Sequence, residues 1–470
     1  MRFFSTFGRR PRGALLAAGA LALLLAGCLP QEPAPDVGIA TPTHYVEAPA
    51  NPNAHLPPPE WWRSFRSSDL TRFVAEANVD NLDIAVATAE IVQADAQVGI
   101  SGAPLYPNLT FAGSAAQIRS SGSSGNPGNT SGQYILGLSA GYMVDFWGKN
   151  RSGLLAAEEN AAAARFNRDV VTLSTQVAVA NTYFQILGAR DQLRIAQNSL
   201  AAATRILDIV KRQFAGGTVS QLDVSQQEAL VAQVRASIPP IEITLRQNWA
   251  ALAVLLARTP VALTPPQGSL SQITVPRITP GLPSDLLTRR PDIALAEAQL
   301  LAGGYNVEAA RAAMLPQIQL TATGGVQSAA LQALFAPGAW YYTLVAGLTQ
   351  PIFDGYLLQS QLDQAKGVQV QDLQVYRKAI LSAFADVEKA LVALDQTNKQ
   401  VKLQADVVES SRTAFRVAES QLAGGTTTLV AVLQAQQTYF TAENGLAQAR
   451  LSRLLAATSL FQALGGGWGP

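Results

Sequence analysis

Residues 213–227 read QFAGGTVSQLDVSQQ and residues 421–435 read QLAGGTTTLVAVLQA, so one pattern occurs twice in the chain, 208 positions apart. In both copies a pair of glycines follows a helical pattern, and hydroxyl side chains follow the glycines. Glycine accepts the left-handed backbone conformation that ends a helix, and serine or threonine caps the helix that comes next. Each stretch therefore predicts a sharp turn between two helices. The predicted turn residues are Gly216, Gly217, Gly424 and Gly425, and the predicted caps are Thr218 or Ser220 and a residue among Thr426, Thr427 and Thr428.

The repeated turn belongs to a series of landmarks that recur in one order, at offsets of 207 to 209 residues. The other pairs are Asp83-Ile84-Ala85-Val86 with Asp292-Ile293-Ala294-Leu295, Pro107-Asn108-Leu109 with Pro316-Gln317-Ile318, and Phe146-Trp147-Gly148 with Phe353-Asp354-Gly355. Such a series indicates a tandem duplication. We expect one unit over residues 69–276 and a second over residues 277–470, each with a helix, a β-hairpin and a long helical hairpin. The expected β-hairpins and helical hairpins cover residues 105–147, 149–257, 316–353 and 356–464.

A long segment before each turn places large apolar residues at every seventh position. The series are Val179, Ile186, Leu193, Leu200, Leu207 and Phe214 in the first unit, and Leu373, Ile380, Val387, Leu394, Val401, Val408, Phe415 and Leu422 in the second. A seven-residue repeat of this length predicts helices packed as in a coiled coil, because a strand has period two. Residues 149–214 would extend for about 100 Å as a helix, which is too long for a compact domain. Alanine and glutamine dominate these segments, as expected either for a packed wall with one hydrated face or for a solvated bundle.

The amino-terminal residues have the parts of an export signal. Arg2, Arg9, Arg10 and Arg12 precede the apolar run 14–26, which is too short to predict a membrane span. The run ends in Leu25-Ala26-Gly27-Cys28, which resembles the lipobox of bacterial lipoproteins, and Cys28 is the only cysteine in the chain. We therefore predict a signal peptide at 1–27, lipidation of Cys28, and a Pro-rich tether at 28–68 that Trp61 and Trp62 dock onto the folded body. The alternative is a signal peptide that happens to contain a buried cysteine. By the sorting rule of such lipoproteins, Leu29 after the cysteine implies the outer membrane.

Two segments between the helices are almost free of charge and alternate with period two. Residues 312–353 contain no Asp, Glu, Lys or Arg, and residues 102–144 contain only Arg119, in a chain with 14% charged residues. The predicted apolar faces are Tyr134, Leu136, Leu138, Ala140, Tyr142, Val144 and Phe146 in the first segment, and Ile318, Leu320, Ala322, Val326, Leu344, Ala346, Leu348 and Ile352 in the second. Strands of about ten residues with this alternation can cross a bilayer at a tilt. Trp340, Tyr341 and Tyr342 fit an interfacial aromatic girdle. A soluble sandwich would alternate in the same way, but the lack of charge and the predicted lipid anchor favour the membrane.

Four such strands cannot form a complete membrane structure. In hydrocarbon only helices and closed barrels satisfy their backbone hydrogen bonds, and the smallest barrels have about eight strands and are filled by side chains. The chain is therefore expected to oligomerise. Three copies would supply twelve strands and a wider lumen.

Several classes of function lack support in the composition. A formal charge of +1, from 34 basic and 33 acidic residues, gives no electrostatic footprint for nucleic acid. The only histidines are His44 and His55, both in the predicted tether, and there is no second cysteine. A metal cluster or an acid–base pair would need more such groups. We therefore predict neither enzyme activity nor a metal or cofactor.

The segment RRPDIALAEAQLLAGGYNVEAARAAMLPQIQLTATGG, residues 289–325, closely resembles outer-membrane efflux lipoproteins of the NodT type in the TolC and OprM superfamily. The resemblance extends over nearly the whole mature chain through Trp61-Trp62, Gly217-Thr218 with Leu222-Asp223-Val224, and the closing residues 460–467. It implies a membrane α+β fold: a tandem-repeat protomer that gives four β-strands to a shared trimeric 12-stranded outer-membrane barrel and long helices to a periplasmic α-helical barrel. It also implies a passive exit duct for drugs and other small molecules, which are delivered by an inner-membrane RND pump and a periplasmic adaptor.

The resemblance places the two turns at the periplasmic tip, where such channels close. Family gates commonly carry acidic residues in the first turn after the Gly-Thr pair. Asp223 matches such a position, whereas Ala431 occupies the equivalent place in the second unit, so Leu429 and Val430 could form an apolar constriction there. Asp223 could equally be a carboxylate that stabilises a helix amino terminus. The gate candidates are Asp223, Thr427, Leu429, Val430 and Gln434.

Two other functions stay open on the residues alone. A lipidated periplasmic coiled-coil adaptor or scaffold would share the anchor and the helical tips, but it would not need uncharged hairpins of bilayer length. The outer-membrane duct of a protein-secretion or metal-export system would share the fold, although no cluster of histidine or methionine points to metals.

Overall fold

The computed structural model describes residues 37–47, 57–122, 128–262 and 266–469. The signal peptide predicted at 1–27 and the lipidation site predicted at Cys28 lie outside the described residues. The contacts within the chain divide it into Met1–Gly38 and Ile39–Pro470, and the fold is that of the second unit.

Long helices and one small sheet make up the described chain. In order, the elements are α1 (Ser68–Asp80), α2 (Leu82–Gly102), β1 (Asn108–Arg119), β2 (Thr130–Val144), α3 (Lys149–Ala215), α4 (Gln221–Ala236), α5 (Ile238–Leu255), α6 (Pro291–Ala313), β3 (Gln317–Ser328), β4 (Trp340–Thr349), α7 (Leu357–Ala423) and α8 (Leu429–Ala463). Short 3-10 helices lie at Trp61–Phe65, Ala103–Leu105, Pro260–Ala262, Leu270–Gln272, Pro283–Thr288 and Leu331–Ala333. The protomer thus has the mixed α and β content that the sequence predicts.

The two halves repeat one order of elements: a helix, two strands, a very long helix and a helical return. Helices α3 and α7 have 67 residues each, so each is about 100 Å long, as the seven-residue repeat predicts. The returns differ. Pro239 and Pro240, in the first turn of α5, separate α4 from α5 in the first half, because proline cannot continue a helix from within. In the second half α8 runs for 35 residues without a break.

The four strands form one antiparallel sheet in the order β1-β2-β3-β4. The central pair, β2 with β3, joins the two halves, with Ala140 opposite Ala322 and Tyr142 opposite Leu320. Since both strands enter this pairing with their apolar residues on the same side, the register makes one apolar face continuous across the junction. The strands and the alternation that the sequence predicts are confirmed, except that Phe146 and Ile352 lie beyond the ends of β2 and β4.

The largest core lies where the ends of α5 and α8 meet the middle of α3. Trp61 stacks on Phe461 with ring centroids 5.1 Å apart, and Phe65 packs on Phe184 at 5.2 Å. These four rings are buried, as is Trp62. Because replacing such a ring by alanine costs about 3–5 kcal/mol, the two tryptophans fix the end of the predicted tether firmly to α8. An earlier part of the tether also docks, since Tyr45 is buried and the Val46 N–H donates to the Glu388 carboxylate at 2.6 Å.

The predicted seven-residue series are buried in one half more completely than in the other. In α7 the series stays in the seam as far as Leu422, which is 3% exposed. In α3 the corresponding last member, Phe214, is 43% exposed, and Ile206 and Val210 occupy the seam instead. Near the tip the buried positions of α3 are Ile206 and Val210, and Phe214 is not among them. The prediction that Phe214 belongs to the seam is therefore wrong.

The helices pack side by side in two sets. Next to the sheet, α2 packs on α3, α3 on α6, and α6 on α7; towards the turns, α4 and α5 pack on α3, α3 on α8, and α8 on α7. Within the described ranges no helix combines the length and the apolar character needed to cross a membrane. Helices α2 and α7 leave large apolar side chains exposed, among them Val86, Val92, Val370 and Leu381.

Candidate functional site

One face of the sheet is apolar across all four strands. Phe111 lies opposite Leu138, Leu136 opposite Val326, and Ala322 opposite Leu344. These side chains do not cover a core: Phe111, Leu344 and Leu348 are 68%, 73% and 69% exposed. An apolar surface that spans a whole sheet marks a contact with protein or lipid. With strands of 10 to 15 residues, it matches the lipid-facing side of a membrane sheet.

The opposite face is mostly polar or small, although Ile118, Ile135, Met143 and Val345 also lie on it. One row across the sheet consists of hydroxyl residues only, because Thr110 pairs with Ser139, Ser139 with Thr323, and Thr323 with Thr343. Alternation with period two places these four side chains on one side and their apolar neighbours on the other. This face can therefore line water while the first face contacts hydrocarbon.

The three residues predicted for an aromatic girdle, Trp340, Tyr341 and Tyr342, do not all lie on one face of the sheet. Trp340 and Tyr342 lie on the apolar face and stack with centroids 5.9 Å apart. Tyr341 points to the polar face, since successive strand residues alternate. Its hydroxyl reaches across to Gly137, where a β-carbon would come within 3.2 Å of the hydroxyl oxygen.

The two outer strands of the sheet have free edges. Within the described residues β1 pairs only with β2, and β4 only with β3. An outer strand exposes a row of unpaired N–H and C=O groups that can pair with another chain. Such a row cannot stay unpaired in hydrocarbon. The sheet therefore needs a partner on both sides before its apolar face can enter a bilayer.

Each half passes from strand to long helix within a few residues. The Asp145 carboxylate accepts hydrogen bonds from the N–H groups of Asn150 and Arg151, at 2.9 and 2.8 Å. Asp354 accepts from the Leu358 N–H at 3.0 Å in the second half. These acceptors satisfy donors that a helix leaves open at its start, so each carboxylate ties the segment after a strand to the start of the following long helix.

The first tip is closed as the sequence predicts. Gly217 has φ of +70°, while Gly216 keeps φ of −84°, so only the second glycine needs the left-handed conformation. The Thr218 N–H donates to the Gln213 carbonyl at 3.0 Å and the Gly217 N–H to the Phe214 carbonyl at 2.9 Å. This pair of bonds is the Schellman arrangement.

The second tip repeats that geometry. Gly425 has φ of +69° and Gly424 has φ of −83°. The N–H groups of Thr426 and Gly425 donate to the carbonyls of Gln421 and Leu422, at 2.9 and 3.1 Å. The two turns are therefore equivalent in their backbone.

The caps distinguish the tips. Ser220 and Asp223 form a reciprocal pair: the Asp223 carboxylate accepts from the Ser220 N–H at 2.8 Å and from its hydroxyl at 2.7 Å, and the Ser220 hydroxyl accepts from the Asp223 N–H at 3.3 Å. These bonds hold the pKa of the Asp223 carboxyl below its usual value. In the second tip Thr428 alone caps α8, through one bond of 3.4 Å from the Ala431 N–H.

A small core ties the two hairpins together at the tip. Ile206 and Val210 of α3 pack with Val224 of α4, Phe415 and Leu422 of α7, and Leu429 and Val432 of α8. The Gln213 side chain also donates to the Leu422 carbonyl at 2.9 Å, across the two halves. The tips therefore form one four-helix unit within the protomer.

The gate candidates differ in their exposure. Leu429 is 4% exposed and belongs to the tip core, whereas Val430 is 49% exposed. Gln434 is exposed, and Asp223 and Thr427 are half-buried. A side chain inside the protomer core cannot line a constriction, so Leu429 is corrected to a packing residue. Val430, Asp223, Thr427 and Gln434 are the candidates with accessible side chains.

Two buried glutamines near the tips escaped sequence reasoning. Gln227 of α4 is fully buried and donates to the Ala203 carbonyl at 2.8 Å, while its own side-chain oxygen has no partner. Gln436 of α8 is 4% exposed, and neither atom of its amide has a partner. The available signal was spacing, since Leu429, Val432 and Gln436 follow one helical stripe.

The Arg-Pro-Asp motif at the start of α6 has a packing role. The Arg290 guanidinium is bonded to the Asp292 carboxylate at 2.7 and 2.9 Å, lies 3.5 Å from Asp386 of α7, and donates to the Ala463 carbonyl at 3.3 Å. This side chain therefore fixes the start of α6 to α7 and to the end of α8.

A family model described as outer membrane efflux protein matches residues 74–258 and 282–466. The second stretch begins and ends 208 residues after the first, which is the offset of the repeated turn.

Curated relatives match over nearly their whole length. The pyoverdine export outer membrane protein OpmQ of Pseudomonas putida is 38% identical over 455 residues, which cover 95% of this chain and 96% of the relative. The toluene efflux pump outer membrane protein TtgC of Pseudomonas putida is 31% identical over 467 residues, which cover 97% and 96%.

Solved structures match in the same way. The open state of the MtrE outer membrane channel of Neisseria gonorrhoeae superposes with a TM-score of 0.81 at 29% identity, over 93% of this chain and 98% of that one. The CmeC outer membrane channel of Campylobacter jejuni gives a TM-score of 0.85 at 22% identity, over 93% and 95%. This second likeness shows the fold alone.

Proposed function

The chain belongs to the outer membrane efflux protein family, and from this premise we propose that three copies of it close one transport duct. Its general role follows from the family and the relatives: it is an outer-membrane channel component of an efflux system. The proposal concerns how the duct is built, where it closes and what it works with. It contains no catalytic step.

The free edges of the sheet carry the proposal. Four strands with one largely apolar face cannot stand alone in hydrocarbon, because β1 and β4 would each leave a row of polar backbone groups unpaired. Pairing β4 of one copy with β1 of the next satisfies both rows. Three copies give twelve strands, which leaves a lumen, whereas two copies give eight, which side chains fill.

The exposed apolar side chains of the outer helices support the same assembly. Val86 and Val92 of α2 and Val370 and Leu381 of α7 lie on the two helices that flank the set next to the sheet. A rotational trimer brings unlike edges of neighbouring copies together. Helices α2 and α7 would then cover each other in the periplasmic part of the duct.

The mass of the assembly tests this proposal. Detergent-extracted protein should have three times the polypeptide mass by light scattering, and it should conduct ions when reconstituted into planar bilayers. A stable monomer that still inserts and conducts would overturn the shared barrel. Trimers that insert but carry no current, both as the unchanged protein and as the Val430→Asp variant described below, would overturn the duct.

We place the closed end of the duct at the hairpin tips. The support is the exposure of Val430 in the first turn of α8, together with Asp223, Thr427 and Gln434 at or near the same end. Val430→Asp should raise the single-channel conductance of the resting duct, because three carboxylates would repel one another across an apolar constriction. Gln437→Glu, two turns from the tip on an exposed position, is the control. If Val430→Asp, Gln437→Glu and the unchanged protein have the same conductance, the gate does not lie at Val430.

The partners we propose are a periplasmic adaptor and an inner-membrane RND pump, since the relatives are named as outer membrane proteins of efflux pumps. The cargo is a small molecule. Identity is higher to the pyoverdine export proteins, at 38% and 36%, than to the toluene efflux protein, at 31%. This difference favours export of a secreted metabolite as a second candidate beside drug efflux. Export assays in a strain that lacks its own channel, with each cargo in turn, separate the two.

We further propose that Cys28 carries a lipid anchor, which the sequence alone supports. Cys28→Ala should abolish incorporation of labelled fatty acid into the protein. Labelling equal to that of the unchanged protein would contradict the anchor without affecting the duct.

A further inference from the structure

The polar face of the sheet holds no charged side chain. Hydroxyl groups dominate its central row, where Thr110, Ser139, Thr323 and Thr343 lie side by side. Amide side chains such as Gln317 and Gln319 follow towards the helices. Dipoles of this kind offer hydrogen bonds to cargo and to water, but they carry no net field along the duct.

The one charged residue of the strands does not face this side. Arg119 pairs with Thr130, in the same alternating set as Phe111 with Leu138, so it lies at the loop end of the apolar face. The nearest carboxylates, Asp145 and Asp354, follow the strands and accept backbone N–H groups of the long helices. Charge is therefore confined to the two ends of the sheet.

A wall of this composition cannot sort solutes by the sign of their charge. Clefts lined by charges of one sign create potentials of several kT and concentrate the opposite ion. Such a field extends over about 8–10 Å at the ionic strength of a cell, and a hydroxyl row produces none of comparable range. Substitutions on the lumen side of a membrane barrel tune its selectivity, so the absence of charge on this face has a functional consequence.

We propose that the sheet forms an uncharged section of the duct, in which cargo is contacted through hydrogen bonds to hydroxyl and amide groups and passes irrespective of its charge. This section suits polar molecules of either charge or none, and it leaves ionic selectivity to the helical part. The inference rests on the proposed function, because it takes the polar face as the lumen.

Thiol chemistry at Thr323 tests the local potential. Thr323→Cys places one small reporter per copy in the middle of the hydroxyl row. The trimer is treated with a cationic and an anionic methanethiosulfonate of similar size, and the rates at which they modify the thiol are measured. The ratio of these rates is divided by the same ratio for a free thiol in solution, which corrects for the intrinsic reactivity of the reagents. We expect a corrected ratio within about tenfold of unity, since a field of several kT would exceed that limit. A larger preference for either sign would overturn the proposal.

Controls make each outcome informative. Leu344→Cys, on the opposite face of the neighbouring strand, should react with neither reagent in intact membranes. The unchanged protein reports any labelling of Cys28. If Thr323→Cys also fails to react, the hydroxyl row does not line the lumen and the proposal is wrong.

Two variants of opposite charge at Thr323 provide a second test. Thr323→Asp and Thr323→Lys should shift the cation-to-anion permeability ratio in opposite directions and by similar factors, because both start from an uncharged wall; Thr323→Ser should shift nothing. A response to only one sign would reveal a charge already present there. Failure of the proposed function looks different, since neither the unchanged trimer nor its Val430→Asp variant would then conduct current, and the inference would fall with it.

Discussion

The two hairpin tips close their long helices with one backbone turn and begin the return helices with different chemistry. Gly217 and Gly425 have φ of +70° and +69°, and the hydrogen bonds around them correspond one to one. In the next turn the first tip has the Ser220–Asp223 pair, and the second has Thr428 and the apolar pair Leu429 and Val430. The two halves therefore share the glycine pair and the backbone hydrogen bonds that the hairpin turn needs. The side chains in the first turn of the return helices differ, because that turn does not depend on them.

Replacing Leu429, the buried residue of the apolar pair, should destabilise the tip more than any other substitution considered below. Leu429→Ala leaves a hole in the tip core and should destabilise local packing by about 2–5 kcal/mol. Hydrogen exchange of the backbone amides at the end of α7 and the start of α8 measures this loss of local stability. Val430→Ala, next to it but half exposed, should change the same protection by no more than about 0.5 kcal/mol.

The first tip supplies a matched control for that pair. Leu222 occupies the place of Val430 after a shift of 208 residues, and it is exposed as well. Leu222→Ala should therefore behave like Val430→Ala. If Leu429→Ala and Val430→Ala loosen the tip equally, the assignment of Leu429 to the core is contradicted.

The buried glutamines give the next difference between the halves. Gln436 has both amide atoms buried without a partner, whereas Gln227 donates to Ala203. An unpaired buried polar group costs about 1–3 kcal/mol, so Gln436→Leu should increase protection of the α8 tip amides by about that amount. Gln227→Leu should change the protection of α4 less, because it also removes a bond.

Gln437 is adjacent to Gln436 and exposed. The same substitution there is a control that tests whether the effect depends on burial of the side chain. Gln437→Leu should leave protection unchanged. A loss of protection in Gln436→Leu would show that its amide is satisfied in the working protein, and it would remove this contrast between the tips.

Much of the fold was predictable because it depends on local patterns. Period two identified β2, β3 and β4 with their apolar faces, the uncharged segment before the first hairpin turn indicated β1, and the two glycine pairs predicted both tips. The long helices followed from a repeat of seven. Each of these signals lies within a few neighbouring residues, where backbone geometry dictates the side-chain pattern.

The errors arose where a contact depends on the turn of a helix or on a distant element. Phe214 lies outside the seam because Ile206 and Val210 pack against α7 and α8 in its place, and Tyr341 faces away from Trp340 because strand neighbours alternate. Leu429 and Val430 are adjacent in sequence, and only the packing of α7 against α8 decides which of them is buried. The unpaired amide of Gln436 could not be inferred from spacing alone.

The cap of the first tip should matter less than either buried residue. Ser220→Ala removes the acceptor for the Asp223 N–H and one partner of the carboxylate, and it should cost about 0.5–2 kcal/mol. Protection of the first amides of α4 is the measurement. Thr428→Ala should cost less, because its bond to the Ala431 N–H is longer and has no carboxylate partner.

The same cap predicts a pH dependence confined to the first tip. The pKa of Asp223 is lower in the folded protein than in the unfolded chain, owing to its bonds from Ser220. Its contribution is therefore complete above the usual aspartate value of about 3.9, and it is lost as the pH falls through the lower folded value. Protection of the amides of α4 should decline at acid pH while those of α8 stay constant. An equal decline in both would place the titrating group elsewhere.

The smallest effect should come from copying the acidic cap into the second tip. Ala431→Asp places a carboxylate three residues after Thr428, in the geometry of the Ser220–Asp223 pair, and should stabilise the start of α8 by about 0.3–1 kcal/mol. Because Asp223 binds Ser220 through two bonds, we expect the new carboxylate to turn towards Thr428 as well. Single-channel conductance should then rise less than in Val430→Asp, although both variants add three negative charges to a trimer. The opposite result would be a conductance as high as that of Val430→Asp without added protection of the first amides of α8. It would make position 431 part of the gate, and Asp223, at the equivalent place in the first tip, would again be a gate residue.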